Sequence, residues 1–298
     1  MTETQMALLP DRGVVTVTGE DAEKLLQGVI TNDMTLLATQ AALHAGLLSP
    51  QGKILFDFFV IRTLQGFCLE TAKSRAAELA DRLMLYRLRA KAEIKDASAD
   101  YTVAAIWGGA YAPKGNGGPL WFPDPRLPAL GCRALVTIRS DWALGGEDAA
   151  SATQDDYHAH RIVQGVPEGG KDYTFGDAFP HEALFDQLNG VSFSKGCYVG
   201  QEVVSRMENR GTARKRVVPV VAQRPLPAGG APILAGGVEI GKLGSVAGKR
   251  GLALLRLDRV NEFTEKGEAL LAGDVPVRVE LRAWARFGAS ANPAGSAA

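Results

Sequence analysis

The pattern of the sequence changes near residue 215, and this change limits the fold more than any other feature of the chain. Before it, β-rich runs alternate with segments whose apolar residues recur at helical spacing. After it, short β-rich runs are separated by glycines, which is typical of a small antiparallel barrel or sandwich. We therefore predict an α+β fold class, with an α+β body followed by a C-terminal antiparallel β domain.

Several segments of the body have limits that the sequence marks. Two β-rich runs, 41–48 and 53–62, are separated by Ser-Pro-Gln-Gly, which predicts a hairpin. Residues 22–29 and 73–90 carry apolar residues on one helical face. A third helix is predicted to begin after Thr153 and to end at Gly165, because threonine caps helix starts and Pro167 cannot continue a helix.

Glycine and proline concentrate between residues 108 and 128, and we predict a junction between two subdomains there. The predicted domains are the body at residues 1–213 and the C-terminal β domain at residues 214–287. The tail at residues 288–298 is rich in small residues, so we expect it to be disordered.

The charge of the chain argues against nucleic acid as its main partner. Lysine plus arginine and aspartate plus glutamate both number 33, so the formal net charge is zero. The N-terminus lacks the features of a signal peptide, and no apolar run reaches the roughly 18 residues of a membrane helix. Three widely spaced cysteines fit reduced thiols better than disulfides. We expect a cytoplasmic protein without membrane contact.

The histidines do not predict a metal site. His158 and His160 lie two residues apart on a predicted helix, where such residues do not share a face. We expect surface histidines and no bound metal.

The motif Lys195-Gly-Cys-Tyr-Val-Gly-Gln-Glu202 places a thiol between a cation and two glycines. Glycine lets the backbone approach a ligand closely. If the side chains converge, Lys195 favours the thiolate of Cys197, which is the form that acts as a nucleophile or metal ligand. The alternative is that Cys197 is a small core residue. Both interpretations remain open from the residues alone.

This motif resembles the signature of the YgfZ branch of the glycine-cleavage T-protein family, which includes mitochondrial iron–sulfur assembly relatives. Other blocks agree in the same order along the chain: Val17-Thr-Gly-x-Asp-Ala, Leu26-Gln-Gly-x-x-Thr-Asn-Asp33, Gly52-Lys-Ile-Leu-Phe-Asp57 and Tyr157-x-x-x-Arg-Ile-x-x-Gly-x-Pro167. The resemblance implies two ferredoxin-like α+β subdomains around a folate pocket, with a small C-terminal antiparallel β-barrel.

The resemblance also implies the residues of the site. Glu182 lies in a Pro-x-Glu-Ala context, where a carboxylate can accept two hydrogen bonds from a pterin edge. Tyr157 occupies a position that is aromatic in some relatives, and a flat ring suits stacking on the pterin or benzoyl group. The expected catalytic pair is Cys197 and Lys195. The expected folate contacts are Glu182, Tyr157, Arg161, Asp57, Gln201, Glu202 and Arg12.

By resemblance, the chain is a tetrahydrofolate-binding protein of the bacterial cytoplasm that supports maturation or repair of iron–sulfur enzymes. Its partners are then iron–sulfur assembly proteins or client enzymes, with transient cluster contact at Cys197 and an indirect effect on tRNA modification. One alternative is a folate-dependent aminomethyltransferase, although Phe56 stands where that enzyme has an acid and cannot accept a proton. Direct tRNA binding through the basic segment 206–216 is a second alternative. We expect an accessory factor rather than an aminomethyltransferase.

Overall fold

The computed structural model describes residues 3–109, 119–138, 149–211 and 213–287. In chain order its strands are β1 Gln5–Leu8, β2 Arg12–Thr18, β3 Ala42–Leu48, β4 Ile54–Thr63, β5 Gly66–Ala72, β6 Glu93–Asp96, β7 Tyr101–Trp107, β8 Leu120–Pro123, β9 Cys132–Thr137, β10 Ala150–Ser151, β11 Lys215–Ala222, β12 Pro232–Ala235, β13 Val238–Ala247, β14 Arg250–Arg256, β15 Leu270–Ala272 and β16 Val275–Val279. The α-helices are α1 Ala22–Val29, α2 Ala76–Arg87, α3 Gln154–Gln164, α4 Gln201–Arg210 and α5 Leu257–Glu265. Short 3-10 helices cover Met34–Ala38, Lys73–Arg75 and Pro128–Leu130.

The first sheet is antiparallel, with the strand order β3-β4-β5-β2-β6. The predicted hairpin is confirmed, since β3 pairs with β4 from Ala42 and Ile61 to Leu48 and Ile54. One face of this sheet packs against α1 and α2 in a common apolar core. The predicted stripe of α1 is its buried set: Ala22, Leu25, Leu26 and Val29.

The second sheet has the order β10-β1-β7-β9-β8 and is antiparallel except for the β1–β10 pair. It packs against the other face of the first sheet. The core between them combines residues of both sheets with one side chain from α3: Ala7, Leu9, Val14, Ala42, Phe59, Ile61, Cys68, Val103, Ala105, Trp107, Phe122, Leu135 and Tyr157. Polar side chains that enter this layer are therefore shielded from water.

The C-terminal strands form a closed antiparallel barrel in the order β11-β14-β13-β12-β15-β16. The predicted α+β class with a C-terminal antiparallel β-barrel is thus confirmed. Its interior is apolar, and Val260 and Phe263 of α5 pack against it. Neither α5 nor β15 is among the sequence predictions.

Helix α3 connects the body to the barrel and begins and ends as predicted. Thr153 and Asp156 form a capping box at its start, and Gly165 takes a left-handed conformation with φ of 78° at its end. Along its length α3 contacts β13 and β14 of the barrel. The helix therefore fixes how the barrel sits on the body.

Part of the predicted junction, residues 110–118, and the predicted disordered tail, residues 288–298, lie outside the described residues. The domain limits 1–213 and 214–287 stay predictions. Among the described helices, none combines the length and apolar character that crossing a membrane requires.

Candidate functional site

A buried polar network lies at one end of the layer between the two sheets. The guanidinium carbons of Arg126 and Arg133 lie 4.9 and 4.8 Å from the centroid of the Phe59 ring on β4. Arg126 donates two hydrogen bonds to Asp124, at 3.0 and 2.8 Å, and Arg133 donates to the same carboxylate at 3.3 Å. Arg133 also donates to Glu70, whose side chain is fully buried. These ion pairs hold the side chains in place because an unpaired buried charge is costly.

Tyr157 and Arg12, two of the expected folate contacts, belong to this network. The Tyr157 hydroxyl accepts hydrogen bonds from Arg133 at 2.8 Å and from Arg126 at 3.3 Å. Only 1% of Tyr157 is exposed. Arg12 donates to Glu70 at 2.8 Å. The ring of Tyr157 is enclosed by protein, which differs from the expected stacking on a folate ring, because three arginines and two carboxylates fill this end of the layer.

Arg161, a third expected contact, joins the body to the barrel. Its fully buried guanidinium donates to Asp172 at 2.7 Å and to the hydroxyl of Ser245 on β13 at 2.6 Å. The other Asp172 oxygen accepts the backbone N–H of Ser245 at 2.7 Å. The pairing of β13 with β14 shifts register between Leu243 and Val246, which brackets Ser245. In this structure Arg161 is a clamp between α3 and the barrel.

Asp57 is a half-buried carboxylate on β4. It lies on β4 two residues before Phe59, so alternation along the strand places both side chains on the face toward the second sheet. One carboxylate oxygen accepts the Tyr173 hydroxyl at 2.8 Å, and the other accepts no hydrogen bond from the described residues. Burial and the adjacent carboxylate hold the pKa of Tyr173 well above its usual range. Tyr173 therefore stays a neutral donor to Asp57.

His44 on β3 is paired with Phe59 on β4. It is 5% exposed, contrary to the expected surface position. Burial first, and then Arg126, lower its pKa to about 4, so the ring is neutral. Its Nδ1 lies 2.9 Å from the carbonyl oxygen of Leu188 and must carry the proton, because a carbonyl only accepts. Nε2 is thus an acceptor, and no described residue donates to it. Charges at Asp57 and Arg126 both act on this ring.

His44 and Tyr173 were not predicted from the sequence to be neighbours of Asp57. The alternation of side chains along β4 could be read from the sequence. The position of His44 near Asp57 depends on the register of the β3–β4 hairpin, which the sequence does not show. Phe56 points to the opposite face, is 1% exposed, and packs in the core with Arg75 4.8 Å above its ring. A second acid at that position would be buried among apolar side chains.

The other expected folate contacts are Glu182, Gln201 and Glu202. A carboxylate oxygen of Glu182 accepts the backbone N–H of Phe179 at 2.8 Å and so closes a local turn. Gln201 and Glu202 begin α4, where Glu202 is exposed and pairs with Arg206 at 2.7 Å. Among the described residues, no hydrogen bond or ion pair joins these three side chains to Asp57.

Lys195 is 6% exposed and reaches the C-terminal end of α1. Its Nζ donates to the backbone carbonyls of Gln27 at 2.8 Å, Ile30 at 2.7 Å and Asn32 at 2.8 Å. An ammonium has three donors, so all of them are used. No hydrogen bond joins it to the Cys197 thiol in the described part of the chain, so the catalytic pairing of Lys195 with Cys197 stays a prediction. The structure gives Lys195 a positioning role.

The Cys197 side chain is exposed, whereas Cys68 is buried and Cys132 is half-buried. The loop that carries it packs against the β3–β4 turn, and glycine permits this contact. A Cβ at Gly200, which has φ of 81°, would lie 2.6 Å from the carbonyl oxygen of Ser49. Gly200 therefore allows the loop backbone to pack closely against the β3–β4 turn. The Cys197 thiol remains accessible at the surface.

One group of possible metal ligands already contains a cation of the chain. Asp11, His158 and Glu168 have ligand atoms within 4.8 Å of one another. The Lys171 ammonium lies 2.8 Å from Asp11, 2.9 Å from Glu168 and 2.8 Å from His158 Nε2. The prediction of no bound metal stays a prediction. A second group of such side chains consists of His181, Asp186 and Glu208.

Two protein-family models match parts of the chain. Residues 11–112 match the GCVT N-terminal domain, and residues 214–287 match the CAF17 C-terminal beta-barrel domain. The solved structure of glycine cleavage system aminomethyltransferase T from Bartonella henselae is similar, with a TM-score of 0.74, 15% identity, and coverage of 95% of this chain and 87% of that one. At this identity the likeness shows the fold alone.

Sequence similarity to curated proteins identifies the family more closely than the fold does. Iron-sulfur cluster assembly factor IBA57, mitochondrial, from Homo sapiens is 32% identical over an alignment that covers 90% of this chain and 83% of the relative. The homolog from Mycosarcoma maydis is 35% identical over 75% of this chain, and that from Neurospora crassa is 33% identical over 72%. The chain spans 59% and 52% of the lengths of these two fungal relatives.

The expected bacterial cytoplasmic location is wrong by this comparison, because these relatives are named as mitochondrial proteins. The names also agree on iron–sulfur cluster assembly, in line with the resemblance seen in the motifs. Similarity that extends over nearly all of this chain and most of the human relative shows that the chain belongs to the IBA57 family of iron–sulfur cluster assembly factors.

Proposed function

We propose that this chain binds a reduced folate beside Asp57 and supports the maturation or repair of iron–sulfur enzymes. The observation that carries the proposal is the Asp57 carboxylate, which is half-buried beside a buried polar network and has one oxygen that no described residue engages. The fold is that of the folate-related T-protein, and the family is one of iron–sulfur assembly factors. Any effect on tRNA modification is then indirect, through client enzymes.

The free hydrogen-bond acceptors of Asp57 and His44 suit a ligand rich in N–H donors. Asp57 offers a free carboxylate oxygen, and His44 offers Nε2 as an acceptor. A reduced pterin carries several N–H groups along its ring edge, and hydrogen bonds to a charged acceptor are stronger than neutral ones. Arg12, Tyr157 and Arg161 would act as the rigid wall of the site. Glu182 remains our proposed second carboxylate for the pterin edge.

Cys197 is our proposed point of contact with the cluster or its carrier. A single thiol cannot hold a cluster that needs four protein ligands, so a partner must supply the others. Exposure of Cys197 and the anchoring of its loop through Lys195 both suit a thiol presented to a partner. Placement in the YgfZ branch itself is part of this proposal, as are assembly proteins or client enzymes as partners.

Calorimetry with tetrahydrofolate tests the folate proposal. We expect saturable binding by the wild type, weaker by about 1.5–3 kcal/mol in Asp57→Asn and in Glu182→Ala, the usual worth of hydrogen bonds to charged groups. Asp81→Asn, at an exposed position on α2, is the matched control and should bind as the wild type does. If the wild type binds no tetrahydrofolate, the folate proposal is wrong, while the family assignment is unaffected.

The aminomethyltransferase alternative is less well supported, since Phe56, which stands where that enzyme has an acid, is buried in the apolar core on the far face of β4. With an aminomethyl-lipoyl substrate and tetrahydrofolate we expect no turnover. Formation of methylene-tetrahydrofolate at about 1 per second or faster, a normal enzymatic rate, would favour that alternative.

Direct tRNA binding through segment 206–216 is also less well supported. Arg216 is 8% exposed and pairs with Asp186 at 2.8 Å, and Arg206 pairs with Glu202. The basic segment is therefore partly neutralised within the protein. A filter-binding titration with tRNA should give only weak, salt-sensitive retention.

A further inference from the structure

Helix α2 has apolar residues on its outer face as well as on its inner face. The inner set, Ala76, Leu79, Ala80 and Leu83, is buried in the core under the first sheet. At its C-terminal end, the exposed fractions of Met84, Leu85 and Leu88 are 41%, 67% and 86%. The outer face of a helix on a globular body is normally polar. We call these three side chains, with Arg82 and Arg89 beside them, the α2 ridge.

Leu88 has a strained backbone, and burial of its side chain does not compensate for the strain. Leu88 caps α2 with φ of 45° and ψ of −107°, a conformation that glycine adopts readily and other L-residues rarely do. Such a conformation costs on the order of 1–3 kcal/mol in a non-glycine residue. Burial of the Leu88 side chain offsets little of this conformational cost, since most of the side chain is exposed. A glycine would suit the isolated chain better.

The charges beside the ridge define what can cover it. Arg82 and Arg89 make no ion pair with any described residue, and Arg87 donates only to the carbonyl of Ala92, at 3.4 Å. Asp81 is the one acid on this last part of α2. The ridge is therefore apolar and positively charged. A second copy of the chain would bring arginines against arginines, which disfavours self-association.

We propose that the α2 ridge is a docking surface for a protein partner whose own contact surface is apolar with an acidic rim. Leu85 and Leu88 would enter its apolar centre, and Arg82 and Arg89 would face its carboxylates. Exposed apolar residues in one patch with polar residues around them are the usual mark of such a surface.

The ridge lies at the far end of α1 from the Cys197 loop. Asp21, just before α1, accepts the backbone N–H of Lys91 at 2.8 Å, while the C-terminal end of α1 accepts Lys195. Eight helical residues span about 12 Å, so one partner of ordinary size can touch both. The docking proposal stands on the ridge alone, and only this second contact rests on the proposed function.

The test uses the full chain, tagged and expressed in cells that lack it, with quantitative mass spectrometry of co-purifying proteins. Leu88→Gly and Arg89→Glu are compared with Val238→Asn and Arg286→Glu, which change an exposed valine on β13 and an exposed arginine near the end of the described chain. We expect an identified protein whose recovery falls at least roughly tenfold with both ridge variants and with neither control. Calorimetry of that purified protein should show direct binding to the wild type and a similar loss with Arg89→Glu.

Leu88→Gly also separates docking from stability. We expect its melting temperature to be unchanged or higher while partner binding is lost. A lower melting temperature would mean that Leu88 serves folding and would overturn the proposal. So would the absence of any protein sensitive to both ridge variants, or binding of phosphatidylserine vesicles or dimerisation with that same sensitivity, since these would make the surface a membrane or self-association site.

Discussion

The ammonium nitrogen of Lys195 lies 2.7 Å from the carbonyl oxygen of Ile30, the residue that follows α1. It makes two further hydrogen bonds to carbonyls of the same segment. A cation is stabilised at the C-terminal end of a helix, where the carbonyl groups are not used by the helix itself. The residue that precedes Cys197 by two positions is thereby anchored to the body.

Lys195→Met should lower the free energy of unfolding by about 2–3 kcal/mol, because it leaves three carbonyls at the end of α1 without their donor. Lys195→Arg should rescue it only in part, since a planar guanidinium does not match three converging carbonyls. Urea unfolding gives the values. Lys91→Met, at an exposed lysine paired with Glu20, is the control and should cost less than about 1 kcal/mol. Equal losses for the two lysines would contradict the anchoring role.

The contacts of Arg161 with Asp172 and Ser245 should contribute to the stability of the fold. Arg161→Met leaves Asp172 buried without its partner, and breaking a buried pair from one side costs about 3–5 kcal/mol. Ser245→Ala removes one neutral acceptor and should cost about 1 kcal/mol. Because the two residues are in contact, their effects should not add in the double variant. Strict additivity in urea unfolding would mean that the barrel is held by other contacts.

His44 should make the stability of the fold depend on pH below neutrality. Burial and Arg126 lower its pKa to about 4, against the opposing influence of the Leu188 carbonyl, Asp57 and Asp124. An unfolded histidine has a pKa near 6.5, so as the pH falls the unfolded chain takes up the proton first and stability is lost. Between pH 7 and pH 5 this loss amounts to about 2 kcal/mol from His44 alone.

The variant His44→Gln checks this assignment, because an amide can still donate to the Leu188 carbonyl but does not titrate. Unfolding by urea at pH 7 and at pH 5 gives the loss for each protein. We expect the variant to lose about 2 kcal/mol less than the wild type over this interval. An identical loss in both would show that the pH dependence arises elsewhere.

Sequence patterns predicted the elements that local rules determine. The stripe of α1, the β3–β4 hairpin and the capped ends of α3 each depend on residues within a few positions of one another. The edge pair β1–β10 was missed because its two strands are short and lie far apart in the chain. Their pairing depends on tertiary contacts that no local pattern records.

The site was harder to predict for a related reason. Motif spacing singled out Tyr157 and Arg161, but it did not show that their polar groups are bound by Arg133 and Asp172 from other segments. Proximity in sequence likewise suggested that Lys195 acts on Cys197, whereas its long side chain reaches α1 instead. The burial of a polar side chain and the identity of its partner are properties of the folded chain.

Cys197 is the exposed thiol of the loop that Lys195 anchors. Burial raises the pKa of Cys68 and of Cys132, so both are slow nucleophiles near neutral pH. Alkylation followed by mass spectrometry should therefore label Cys197 first, by roughly tenfold. Cys197→Ser should keep tetrahydrofolate binding and the melting temperature, because neither depends on an exposed thiol.

The same variant should fail to restore iron–sulfur enzyme activity in cells that lack the protein, while Cys132→Ser, the matched control, should restore it. The reason is that a hydroxyl is a poor replacement for a thiolate as an iron ligand or as a nucleophile. Full restoration by Cys197→Ser, with labelling no faster than at the other two cysteines, would mean that the thiol serves neither role and that the motif acts through its backbone and Lys195 alone.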